Sequence, residues 1–208
     1  MIKTKKDLIF FIQADYMMNR GYFKRTLKKR FFHIFVKDHI MDYLVQLRKY
    51  EYFSNQRGAI NRIKKELHHL RVKKLGEHLG FSIEPNVMGY GLVMPHYGTI
   101  VVGSGNVIGN YCVLHTSTCI TAGKKVIGDS LYLSSGAKII KPNVLLGKGI
   151  SVSANAVIRE DFYENNVLLA GNPAKKIKDT VPWYVRDGEV YKERVNACNI
   201  LHDELYKE

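Results

Sequence analysis

The chain is predicted to be an α+β protein: an α-helical N-terminal segment over residues 1–80, a parallel β-helix over 81–178, and a short helical tail over 179–208. Three observations predict this. Charge is divided unevenly, with 19 Lys and Arg against 7 Asp and Glu in residues 1–80, and 13 against 12 in residues 81–208. No proline precedes Pro85, and up to that point apolar residues recur at helical spacing. Beyond Gly80, aliphatic residues recur every six positions, a period that fits neither an amphipathic helix nor the simple alternation of an antiparallel strand.

The helical segment divides into three stretches, from Asp7 to about Asn19, from about Phe23 to Tyr52, and from about Ala59 to Leu79. In the third, Ile63, Leu67, Leu70 and Leu75 follow one another at spacings of four, three and five, which suits a single apolar face, with Lys64, Lys65, Lys73 and Lys74 mostly turned away from it. Such a basic exterior is either a solvated surface or a contact for something anionic. No recognised nucleic-acid motif accompanies it, so nucleic acid is not the expected partner. A basic helical face beside aromatics can instead lie against anionic lipid, which makes peripheral membrane contact an expectation.

In the second segment Val102, Ile108, Leu114, Ile120, Ile127, Leu133, Ile140, Leu146, Val152 and Ile158 form the aliphatic register, with steps of six broken twice by one added residue. Each is followed mostly by a small residue, as at Gly103, Gly109, Ser134 and Ser153. Short strands that stack coil on coil, with aliphatic columns pointing inward, give this pattern. The added residues, around Ala122–Lys125 and Lys138–Pro142, are expected to leave the coil as small loops, where sites are commonly built. "GSGNVIG" (103–109) does not have the spacing of a dinucleotide loop and falls inside the series, so its glycines are read as corner residues. The tail reads as a turn at "RDG" followed by a helix that packs against the coil or a neighbouring subunit, with no chemistry visible in it.

Composition excludes several classes. With 46% hydrophobic residues the chain can bury an ordinary core and is not a disordered protein. Its apolar runs, such as "LIFFI" and "FFHIFV", are far below the ~20 residues of a membrane-spanning helix. The three cysteines, Cys112, Cys119 and Cys198, have no metal-ligand spacing, and the N-terminus does not resemble an export signal, so reduced thiols in the cytoplasm are expected. His33, His39, His68, His69, His78 and His202 have no carboxylates or cysteines clustered around them, and no metal site is expected.

Two histidines adjoin the repeat. His96 stands in "VMPHYGTIVVG", between a proline and a tyrosine. His115 follows the register residue Leu114 and is read as structural. The His96 segment, the six-residue series and the closing "AGNPAKKI" (170–177) together resemble the hexapeptide-repeat acyltransferases, most closely the serine acetyltransferases and their relatives in bacterial surface-polysaccharide clusters. The likeness covers about residues 80–178; the helical half is similar only in class.

The resemblance implies a left-handed coil, a homotrimer with active sites between subunits, and acetyl-CoA as donor. It makes His96 the general base that takes the acceptor hydroxyl's proton, a task suited to imidazole, which titrates near neutrality. The family's orienting acid falls on Ser82, and Glu84, two residues on and on the same strand face, is expected to replace it. Ser135, Gly136, Ala154 and Gly171 match positions that line the coenzyme A groove, and Lys175 and Lys176 those that can pair with its phosphates. Serine acetyltransferases hold the amino acid with an aspartate before the base and a later Arg-His pair. This chain has Pro95 at the first position and Gly123, Lys124 and Lys125 near the second. An ammonium without its anionic partner is strongly disfavoured, so the expected acceptor is a sugar or polysaccharide-precursor hydroxyl, with serine itself the alternative and a nucleic-acid or membrane-surface binding trimer the competing class.

Overall fold

The computed structural model describes residues 1–23 and 36–207. Three helices precede the coil: α1 (Lys5–Arg20), α2 (His39–Ser54) and α3 (Ala59–Leu79). The early part of the predicted second helix, residues 24–35 with His33, lies outside the described residues. Helix α1 starts at a capping box in which Thr4 Oγ1 accepts from the Asp7 N–H at 3.0 Å and the Asp7 carboxylate accepts from the Thr4 N–H at 2.8 Å. Helix α3 stops at Gly80, whose φ of 80° turns the chain directly into the first strand.

The apolar face predicted for α3 is corrected. Ile63, Leu67 and Leu70 are 65%, 45% and 65% exposed, while Val72, Gly76 and Leu79 are buried and Leu75 is half-buried. The helix rests on α2 and the coil through its opposite side, where Gly76 brings the α3 backbone against Phe81; a Cβ there would stand 2.5 Å from the Phe81 carbonyl oxygen. Spacing alone identifies a stripe, and the neighbouring elements decide whether it is covered.

The coil has about five turns. Its first face holds β1 (Phe81–Ile83), β2 (Ile100–Val102), β5 (Thr118–Ile120), β8 (Lys138–Ile139) and β11 (Val157–Ile158); its second holds β3 (Val107–Ile108), β6 (Val126–Ile127) and β9 (Leu145–Leu146). On the third face β4 (Val113–Leu114), β7 (Tyr132–Leu133), β10 (Ser151–Val152) and β12 (Val167–Ala170) end at β13 (Lys175–Asp179). Pairing between coils is parallel on every face, and only β13 runs back antiparallel, on β12.

Register columns run through the interior. Val102, Ile120, Ile139 and Ile158 stack on the first face, Ile108, Ile127 and Leu146 on the second, and Leu114, Leu133, Val152 and Leu169 on the third. One register assignment changes: Ile139 points inward, fully buried, and Ile140 is only half-buried. The added residue therefore follows this strand, and the two loops, after Ile120 and after Ile139, stack on each other. The Gly123 N–H donates to Ser104 O at 3.0 Å and the Lys124 N–H to Pro142 O at 2.9 Å.

Helices α4 (Trp183–Arg186) and α5 (Glu189–Tyr206) return along the third face toward α1. Trp183 is buried there, with its indole N–H donating to Tyr111 O at 2.7 Å; Arg194 reaches Met18 O and Tyr206 reaches Asp7.

The helices are fastened to the coil by a buried charge cluster. Arg48 on α2 uses its five N–H donors on Asp15 (Nε and Nη2), Glu51 and the carbonyls of Met88 and Gly89. Asp15 also accepts the Leu92 N–H at 2.9 Å, and Glu51 the Asn86 N–H at 2.9 Å. Burial by itself would lower the Arg48 pKa; the two carboxylates more than offset it, and the guanidinium is held charged.

Candidate active site

After its strand on the third face, each coil turns a corner, and these corners stack into one edge. His96, His115, Ser134 and Ser153 follow at intervals of 19 residues, and Gly171 occupies the corner of the last coil. Backbone hydrogen bonds join the levels: the Gly136 N–H donates to Thr116 O and the Asn155 N–H to Ser135 O, both at 3.0 Å. Gly136 has φ of 74°, and a Cβ on it would meet Asn155 Oδ1 at 2.1 Å, so both conformation and space require glycine. At ~4.8 Å per coil, the edge from His96 to Gly171 is about 19 Å long. Of the residues singled out from sequence, His96, Ser135, Gly136, Ala154 and Gly171 are thus brought onto one edge; Ser135, Ala154 and Gly171 are exposed along it.

His96 is exposed at the head of this edge. The ring below it is His115, with centroids 6.4 Å apart and planes inclined by 45°. His115 is fixed through its backbone, its N–H donating to Leu133 O at 3.1 Å and its carbonyl accepting from the Thr118 hydroxyl at 2.8 Å. Its ring lies 5.1 Å from that of Tyr132 on the next coil, and the Arg186 guanidinium sits 4.6 Å over the Tyr132 ring. Burial, with a smaller contribution from His96, lowers the His115 pKa, while the Asp187 carboxylate acts in the opposite sense. The tail, in which no chemistry was visible, therefore supplies Arg186 and Asp187 beside the histidine column. Sequence reasoning missed this group; the available signal was the interval of 19 between His96 and His115, one full coil.

Glu84 shares the outward side of β1 with Ser82, as expected, and both are exposed. The His96 corner, however, bonds to the start of that strand, through Gly98 N–H to Leu79 O and Ile100 N–H to Gly80 O, whereas the Glu84 N–H bonds to Val102 O. Four residues of extended chain, about 13 Å, separate the two ends. Glu84 instead borders a cleft with Tyr43, Tyr50, His69 and Lys73, and its charge acts on both tyrosines. The structure does not bring Glu84 to His96 within one chain.

At the far end of the edge Lys175 is exposed, and Lys176 is paired with Glu164 and, at 2.9 Å, with Asp179. In the first added loop Lys125 is buried and its ammonium donates to Thr121 O, Thr121 Oγ1 and Ala122 O; burial lowers its pKa. It ties the loop and presents no charge outward. Next to His96 in the chain, exposed Tyr97 borders a cleft with Lys37, Asp38, His39 and His78. Among the described residues no cluster of His, Cys, Asp or Glu could hold a metal, no helix is long and apolar enough to cross a membrane, and the three cysteines are unpaired.

Comparison with known proteins places this geometry in context. No family model matches the sequence. A serine acetyltransferase of Synechococcus elongatus is 23% identical over 106 residues, covering 47% of this chain and 43% of that protein, so the match spans less than half of the relative's length. Among solved structures, the serine acetyltransferase of Neisseria gonorrhoeae superposes with a TM-score of 0.63 at 18% identity, over 86% of this chain and 69% of that one. A serine acetyltransferase solved in complex with CoA gives a TM-score of 0.51 at 18% identity, over 82% and 67%. The fold, helices followed by a coil consistent with a left-handed β-helix, is that of these enzymes.

Proposed function

We propose that the chain is an acetyl-CoA-dependent O-acetyltransferase of serine acetyltransferase-like type with His96 as general base. One observation carries the reading: His96 heads an exposed edge along which Ser135, Gly136, Ala154 and Gly171 line up over about 19 Å. Small residues let an extended pantetheine arm approach the backbone, and Lys175 at the far end suits a phosphate. In the reaction the acceptor oxygen attacks the thioester carbonyl carbon as its proton passes to the imidazole of His96. The carbon–sulfur bond then breaks, and the imidazolium returns the proton to the departing thiolate. His96→Ala is expected to lower turnover ~10²- to 10⁴-fold while coenzyme A binding persists. Wild-type turnover in that variant would overturn the reading.

The acceptor proposed is a hydroxyl on a sugar or surface-polysaccharide precursor. Pro95 offers no charge to an ammonium, and the cleft bordered by Tyr97, the residue after the base, combines an aromatic with Lys37, His39, His78 and the Arg20-paired Asp38, which suits a phosphorylated sugar. Serine is the alternative, favoured by the names of the similar enzymes. Thiol release from acetyl-CoA, measured with L-serine and with nucleotide-linked hexoses, separates the two.

A homotrimer and a cytoplasmic location, where acetyl-CoA is made, complete the proposal. Exposed Val107, Val126 and Leu145 form a column on the second face, the bare aliphatic surface that subunit packing needs. Peripheral contact with an anionic membrane is proposed for α3. Its exposed Ile60, Ile63, Leu67 and Leu70 form one stripe flanked on one side by Arg62, Glu66 and Lys73 and on the other by Lys64 and Arg71, a net basic border. Flotation with phosphatidylserine vesicles, and its loss in Ile63→Asp with Leu70→Asp, tests that contact.

A further inference from the structure

The pair of stacked imidazoles at the head of the edge has a consequence for the acceptor. With ring centroids 6.4 Å apart, His96 and His115 are too far for a direct hydrogen bond, since none of their nitrogens can approach closer than about 4 Å. One oxygen at about 2.8 Å from a nitrogen of each ring bridges nitrogen separations up to about 5.6 Å, and rings whose centroids are 6.4 Å apart can present nitrogens within that span. We propose that His115 is a second catalytic residue, whose ring N–H donates to the acceptor hydroxyl oxygen while His96 accepts that hydroxyl's proton, so that the two rings hold the nucleophile between them. This rests on the acetyltransferase reading with His96 as base.

Three further features support the assignment. The backbone of His115 is pinned on both sides, by Leu133 O and the Thr118 hydroxyl, and its ring is backed by Tyr132, so the donor is held in place before the acceptor arrives. The groups facing it are His96 above, Tyr132 below, and Asp187 beside them from the tail, with Arg186 over the Tyr132 ring and ion-paired to Asp187. Burial lowers the His115 pKa, which favours the neutral ring, with one N–H to donate and no charge to oppose the imidazolium that forms on His96. The electron pair of the acceptor oxygen forms the new bond to the acetyl carbon, the thiolate leaves with the carbon–sulfur pair, and the proton travels by way of His96; His115 neither gains nor loses one. No acid takes Glu84's expected place at His96 in this scheme: the nucleophile is oriented from the acceptor side.

The test compares His96→Ala, His115→Ala and His115→Gln in the full chain, using acetyl-CoA with L-serine and nucleotide-linked hexoses as acceptors. Expected is a loss in kcat of about 10- to 100-fold for His115→Ala, at unchanged KM for acetyl-CoA, with partial recovery in His115→Gln, which keeps an N–H donor. The acid limb of kcat/KM should change in His115→Gln, because that variant removes a ring whose protonation places charge beside the acceptor. A dead His96→Ala beside a His115→Ala with wild-type kcat and an unchanged acid limb overturns this inference alone. Full activity in His96→Ala overturns the reading beneath it. An acceptor-independent measurement accompanies these: ring ¹⁵N titration of His115 should move to higher pH in His96→Ala, and an unmoved curve refutes the pairing of the rings.

Discussion

Arg48→Met is expected to loosen the helices from the coil, and its magnitude follows from the bonds removed. The side chain is fully buried, and its five N–H groups bond to Asp15, Glu51 and two carbonyls of the first coil. Methionine fills much of the volume but leaves two buried carboxylates uncompensated and the Met88 and Gly89 carbonyls without this donor. Breaking a buried ion pair from one side costs about 3–5 kcal/mol, a large part of the ~5–15 kcal/mol that holds a domain folded. For a chain of this length that corresponds to a fall in Tm of about 6–20 °C. Adding Asp15→Asn and Glu51→Gln removes the uncompensated charge and should recover part of the loss, so the effects will be strongly non-additive. Urea titration followed by Trp183 fluorescence reads both variants. A loss below about 1 kcal/mol in Arg48→Met would refute the assignment of the cluster as the fastening between helices and coil.

Further outcomes are expected elsewhere. Ile139→Ala should cost about 2–5 kcal/mol and Ile140→Ala at most about 1 kcal/mol, because Ile139 alone of the two faces the coil interior; equal losses would return the register to the sequence-based assignment. Gly123→Ala places a Cβ 2.1 Å from Pro142 O and should destabilise by about 1–3 kcal/mol, read as a lowered thermal midpoint. His68 has a pKa lowered to about 4 by burial and then by Lys49, Arg71 and Lys64, so the unfolded chain binds its proton more readily than the folded one. Its contribution is therefore present above pH 6.5 and lost as pH falls toward 4, and His68→Phe, which keeps the stack on Phe53, should flatten the urea midpoint across that window.

The coil was legible in the sequence because its rule is local and repeated. An inward aliphatic at each sixth position, a small residue at the corner and one coil per three steps leave the chain few other ways to bury Val102, Ile120 and Ile158 together. The same rule failed at Ile139 and Ile140, where two adjacent isoleucines satisfy it equally and only stacking against Ile120 and Ile158 selects one. His96 was visible through its flanking motif, whereas His115 was not, since its meaning comes from the ring one coil away rather than from its neighbours in sequence.

Charge shows the same division. The sequence reads as basic and helical over its first 80 residues and, from its six-residue period, as a coil with His96 at its start. It could not say which charges meet. Arg48, Asp15 and Glu51 lie within one helical half, yet their purpose is to grip the backbone of the first coil. Within one chain Glu84 lies at the end of its strand away from the His96 corner, and Asp187 comes to the histidine pair from the tail. Such placements are decided by tertiary structure, because a hydrogen bond or ion pair acts over a few ångströms in space, and spacing along the chain specifies that distance only within one helix, strand or repeat.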